Sequence, residues 1–122
     1  MIELSVSGNN YDLNEKIQEY IEEKIGELDK YVPRTKRDGL MAKITLTLDE
    51  SGREDNQCIC EASIQLPGAL IEAREATLNM FAAVDIVEAK LKAQALKYKT
   101  KHSPKQNRAK IFISKLRRSS ES

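Results

Sequence analysis

No stretch of the 122-residue sequence approaches the roughly 20 consecutive apolar residues of a membrane-spanning helix. The opening residues, MIELSVSGNN, lack the basic and apolar regions of a secretory signal, so a cytoplasmic protein without membrane contact is expected. Histidine occurs once, at His102, and cysteine twice, at Cys58 and Cys60. One Cys-x-Cys pair and a single histidine are too few ligands for a metal site. As neighbours in an alternating segment the two cysteines share a face and cannot readily bridge each other, so they read as reduced core thiols. No Gly-rich phosphate loop and no Ser-His-Asp set can be assembled. Paired acids such as Glu22 with Glu23 and Asp49 with Glu50 read as ordinary surface or loop charge. Neither an enzyme nor a cofactor nor a small-molecule substrate is expected.

What is present is charge, divided unevenly. Hydrophobic residues make up 40% and charged residues 32%, which fits one soluble domain with a modest core and a tail. The formal net charge is only +1, yet residues 1–89 hold nine bases against eighteen acids, a balance of −9, while residues 90–122 hold eleven bases against Glu121 alone, a balance of +10. Within the basic part, KLKAQALKYKTKH carries five lysines in twelve residues, uninterrupted by any acid. Asymmetry of this kind points to a polyanionic partner.

Hydrophobic periodicity predicts the order β-α-β-β-β-α. IELSV alternates as a half-buried strand. GNN then turns the chain, and Asp12 with Glu15 forms a plausible capping box for a helix. Leu13, Ile17, Tyr20, Ile21, Ile25, Leu28 and Tyr31 give that helix one apolar stripe, and Pro33 predicts its end near Tyr31. LMAKITLTL and CICEASIQL alternate again across the polar connection DESGREDNQ, and Pro67-Gly68 signals a tight turn into a short fourth strand, ALIEARE. A last helix begins near Thr77 as a possible N-cap and runs to Pro104, with Met80, Val84, Val87, Leu91, Ala95 and Tyr98 on one face. The expected fold is a two-layer α+β domain, in which a four-stranded mixed sheet has two helices on one face. Strands one and two run parallel with a right-handed crossover, and strands two to four form a meander.

On a wheel of about 100° per residue, Lys90, Gln94, Lys97 and Lys101 form one ridge beside the core face, and Lys92 with Lys99 flank its other edge. Lys24 falls inside the apolar stripe of the first helix. It reads either as a snorkelling cation at the seam between the helices, close to the Lys90 to Lys101 ridge, or as a partly exposed stripe edge. Lys30 lies about a turn and a half further on, while Glu15, Glu19, Glu22, Glu23 and Glu27 make the outer face acidic. Cations suit a helix C-terminus, but the dipole accounts for only one or two of these lysines. Nucleic-acid contact accounts better for the rest. Membrane contact is disfavoured, because the apolar face of the lysine-rich helix is needed for the sheet. Residues 1–102 are expected to form the domain, with 103–122 a basic, mobile tail containing KIFIS.

SGNNYDLNEKIQEYIEEKIGELDKYV and NMFAAVDIVEAKLKAQALKYK together resemble the ribosome hibernation promoting factor and ribosome-associated inhibitor family, also labelled sigma factor modulation proteins. The resemblance covers residues 1 to about 101. In that family the last helix usually reads Asp-Met-Tyr-x-Ala-Ile-Asp, then Lys-Leu-x-Arg-Gln, then spaced lysines. The corresponding positions are Asn79, Met80, Phe81, Ala83, Val84 and Asp85, then Lys90, Leu91, Ala93 and Gln94, then Lys97 and Lys99. Two positions depart: Ala93 stands where arginine is common, with Lys92 beside it as partial compensation, and Asn79 replaces an acid.

The resemblance implies a fold similar to double-stranded RNA binding domains and occupancy of the decoding channel of the small ribosomal subunit, excluding messenger and transfer RNA. It implies ribosomal RNA contacts from Lys24, Lys90, Gln94, Lys97 and Lys99. Charge and wheel position add Lys30, Lys92 and Lys101. With about 20 residues beyond the helix, too few for a second domain, the short type of the family is expected, monomeric off the ribosome. Two other readings remain open: a general double-stranded RNA binding module, and a protein-interaction regulator of transcription using the acidic first helix and the IFI island.

Overall fold

The computed structural model describes residues 2–51, 53 and 56–102. The predicted basic tail and its KIFIS segment lie outside the described residues. Four strands, β1 (Glu3–Asn9), β2 (Met41–Leu48), β3 (Cys58–Leu66) and β4 (Ala69–Thr77), form one sheet in the order β1-β2-β3-β4. β1 pairs parallel with β2, while β2, β3 and β4 pair antiparallel. The helices are α1 (Glu15–Lys24) and α2 (Met80–His102), with 3-10 segments at Gly26–Tyr31 and Arg34–Lys36 leading into β2.

Strand alternation sorts the residues as expected. Ala42, Ile44 and Leu46 of β2 and Cys60, Ala62, Ile64 and Leu66 of β3 face the helices and are buried. They meet Ile17, Ile21, Ile25 and Leu28 from the first helical segment and Val84, Val87, Leu91 and Ala95 from α2 in a single core. Cys60 is fully buried and Cys58 half-buried, both as free thiols, and burial pushes the Cys60 thiol up to about 12. The β3-β4 turn holds Gly68 at φ +79°, which glycine adopts without steric cost. β4 continues to Thr77, two residues beyond the predicted ALIEARE.

β1 likewise runs on through Gly8 and Asn9, which the sequence reading assigned to a turn, and three helix boundaries differ, each for a local reason. The N-cap of α1 is Asn14, whose side chain accepts from Ile17 N–H at 3.0 Å, so the Asp12 and Glu15 capping box does not form. The first helix does not remain α-helical to Tyr31. It changes at Gly26, whose carbonyl accepts from Ile2 N–H at 3.1 Å and so bonds to the chain ahead of β1. The segment 26–31 then winds as a 3-10 helix. Apolar residues three apart suit either helix type, so periodicity alone does not distinguish them. Finally, Asn79 and not Thr77 caps α2, with its side chain accepting from Phe81 N–H at 2.8 Å and Ala82 N–H at 3.4 Å. An acid at that position would accept the same bonds, so the Asn79 departure leaves capping intact.

Candidate nucleic-acid interface

The two helices touch along a seam anchored by Asp85 of α2. The Tyr20 hydroxyl donates to its carboxylate, Lys24 Nζ approaches the same oxygen at 3.9 Å, and the Tyr20 and Phe81 rings stack edge to face at 5.1 Å. The hydrogen bond to Asp85 is the main reason the Tyr20 hydroxyl is pushed up to about 12, with burial adding to it. A raised folded value means that this contribution to stability is complete below the ordinary tyrosine range near pH 10 and disappears as pH rises toward 12. Wild type should therefore lose more stability than Tyr20→Phe between pH 10 and 12 in parallel urea titrations. Equal losses would show that the bond does not exist in solution.

Lys24 reaches across the seam toward Asp85 of α2 while its side chain stays partly exposed, so each of its two readings holds in part. The ridge it approaches, however, is the one begun by Lys92, not the Lys90 to Lys101 ridge. Lys92 Nζ lies 5.1 Å from the Tyr31 ring centroid, and Lys30 Nζ lies 5.3 Å from the same ring. Tyr31 thus holds one cation from each helical segment, which favours an anion between or above them. Periodicity alone places Tyr31 in the core stripe. The tighter 3-10 winding leaves it half-buried, and nothing in the spacing signals this. Arg37 braces the segment by donating to Val32 O at 2.8 Å and Lys30 O at 3.2 Å, a role that had no sequence signal either. Beside Tyr31 a groove of about 190 Å³ is lined by Lys24 and Lys30 and also by Glu23, Glu27 and Glu88. Lys99 follows Lys92 by two turns on the same side of α2.

Lys90 and Gln94 point elsewhere, toward β4. Lys90 Nζ donates to Glu75 at 2.7 Å, and the Gln94 amide bonds the Glu72 backbone at 3.0 and 2.8 Å. The Lys90 ammonium beside Glu75 holds that carboxyl below its usual range. Lys97 and Lys101 continue on this side of the helix, both exposed. Between the two ridges the solvent pole is uncharged: Ile86, Ala89, Ala93 and Leu96 are all exposed there. The sheet's other face is charge-balanced, with Lys43 and Arg74 beside Glu61 and Glu72 around an open concavity of about 570 Å³. On the helical side the cations lie on α2 and at the Lys30 end of the first helical segment, while the outer face of α1 is acidic. Among the described residues no three His, Cys, Asp or Glu side chains are placed to hold a metal ion, and no helix is long and apolar enough to cross a membrane.

Fold and site together define an α+β domain whose two helices present lysines on one face of a four-stranded mixed sheet. The chain belongs to the Sigma 54 modulation protein / S30EA ribosomal protein family, whose sequence profile matches residues 4–103. It is 32% identical over 97 residues to the ribosome hibernation promotion factor of Deinococcus radiodurans, covering 80% of this chain and 49% of that protein. The factor of the same name from Lactococcus lactis is 29% identical over 109 residues, covering 89% of this chain and 56% of the relative. The chain thus spans about half the length of these curated relatives. Among solved structures, the N-terminal domain of Thermus thermophilus Protein Y superposes with a TM-score of 0.64 at 28% identity, covering 80% of this chain and 97% of that one. A ribosomal subunit interface protein from Coxiella burnetii gives 0.63 at 26% identity, with 80% and 98% covered.

Proposed function

We propose that residues 1–102 form a ribosome-binding domain that occupies the decoding channel of the small ribosomal subunit and silences translation as a hibernation factor. The observation that carries this reading is the pairing of Lys30 and Lys92 on the Tyr31 ring, which brings cations of both helical segments to one surface. Membership of the family and the names of the relatives support it. The mechanism is occupancy without chemistry. Lysines placed by a rigid fold meet phosphates and fix position, while the shape of the channel selects the site. Lys24, Lys30, Lys92, Lys97, Lys99 and Lys101 are the candidate contacts, Lys24 with its charge partly offset by Asp85. Off the ribosome the domain is monomeric, and residues 103–122 supply further basic charge to the same polyanion.

If about four lysines each displace a counterion, the logarithm of affinity for purified small subunits should fall with the logarithm of salt at a slope of about −3. A slope near zero would remove the electrostatic basis of the proposal. In parallel, a plain RNA duplex should bind more weakly than the subunit, whereas a general duplex reader would show no preference for subunits.

A further inference from the structure

β4 is an edge strand, and edge strands present unpaired N–H and C=O groups that invite another strand. Here the middle of that edge, at Glu72 and Arg74, is occupied by side chains of α2. Glu72 N–H donates to Gln94 Oε1 at 3.0 Å, and Gln94 Nε2 donates to Glu72 O at 2.8 Å. One side-chain amide therefore makes the reciprocal pair of bonds that a residue of an adjacent antiparallel strand would make. Successive strand residues direct their backbone groups to opposite sides, so the next outward position is Arg74. Its carbonyl accepts from Lys90 Nζ at 3.3 Å, and the same ammonium holds Glu75 at 2.7 Å. Lys90 and Gln94 are one helical turn apart on α2, matching the two-residue step between Arg74 and Glu72 on β4. Helix and edge strand therefore run in opposite directions, in register.

We infer that the polar residues of α2 divide by partner and not by ridge: Lys90 and Gln94 seal the β4 edge and set α2 against it, while Lys92, Lys97, Lys99 and Lys101 with Lys30 face the polyanion. This deepens the proposed function, on which the second half of the inference rests. Both sealing residues stand at positions where the family resemblance implies RNA contact, and the bonding separates them from that group. Lys90 already has a carboxylate and a carbonyl as partners. Gln94 uses both its donor and its acceptor on one backbone residue. A phosphate would have to displace these bonds to engage either side chain. Sealing also makes Lys90 and Gln94 positioning residues, because the register they fix determines where Lys92 and Lys97 emerge.

Two measurements on the full chain test this. In hydrogen exchange, Gln94→Met keeps length and helix propensity but removes both bonds, so the Glu72 amide should exchange about tenfold faster while Ile44 and Ala62 amides are unchanged. An unchanged Glu72 rate would overturn the seal. In small-subunit binding, Lys97→Met should make the salt slope shallower by about 0.7 to 0.9, the value of one phosphate contact. Lys90→Met should leave the slope as in wild type and lower affinity only severalfold, through position. A Lys90→Met slope that falls as far as that of Lys97→Met would assign Lys90 to the RNA and overturn the division of roles. If none of the lysine variants changes the slope, the RNA reading and the division of roles both fail, while the exchange result still decides the seal.

Discussion

Replacing Leu91 with alanine should lower the stability of the domain by about 3 kcal/mol, within the roughly 2 to 5 kcal/mol seen for large-to-small changes in packed cores. Leu91 is fully buried, and on the helical wheel it lies at the centre of the α2 core face, midway between the two lysine ridges. Its loss removes apolar burial and leaves a cavity where α2 meets the sheet. Rigid elements on both sides, β3 with β4 and α2 fixed by Gln94, limit collapse into that space. At about 4 °C per kcal/mol for a domain of this size, the melting temperature should drop by about 12 °C. Urea denaturation should show a lower midpoint at unchanged slope, the signature of lost stability without a change in the surface exposed. A loss below about 1 kcal/mol would mean that α2 is not docked along this face.

The sheet was readable because its inner face alternates without a break from Leu40 to Leu48 and from Cys58 to Leu66, and burial of one face fixes the register. Both helices were visible in their stripes, and the seam position of Lys24 was one of the two readings that its place in the stripe allowed. The less legible features depend on backbone groups. The change to a 3-10 helix at Gly26 follows from a bond to Ile2, and the α1 cap went to Asn14 over an equally good motif two residues earlier. The roles of Lys90 and Gln94 were hidden for the same reason. A wheel gives the direction of a side chain from the helix axis but does not show that β4 ends in open backbone on that side. Periodicity put Tyr31 in the core stripe, whereas it is only partly buried against the core, and its contact with cations from two segments required the tertiary fold.

Changing Lys92, Lys97 and Lys99 together to glutamate should reduce affinity for small ribosomal subunits by about a thousandfold or more. Charge-assisted hydrogen bonds contribute about 1.5 to 3 kcal/mol each, so three lost contacts approach 4.5 kcal/mol even at the lower bound. At about 1.4 kcal/mol per decade this is about three orders of magnitude, before repulsion between the new carboxylates and phosphates is counted. The fold should persist, because Lys97 is exposed, Lys92 and Lys99 are half-buried at the helix surface, and Lys90 and Gln94 still seal β4. Circular dichroism and the Leu91-dependent melting transition would show whether it does. Residual binding should have a much shallower salt slope than wild type, since the counterions once displaced by these lysines are no longer released. A partner recognised through the acidic outer face of α1 would bind the variant as well as wild type. An affinity loss below about tenfold, with folding intact, would therefore move the interaction surface away from α2 and toward that acidic face.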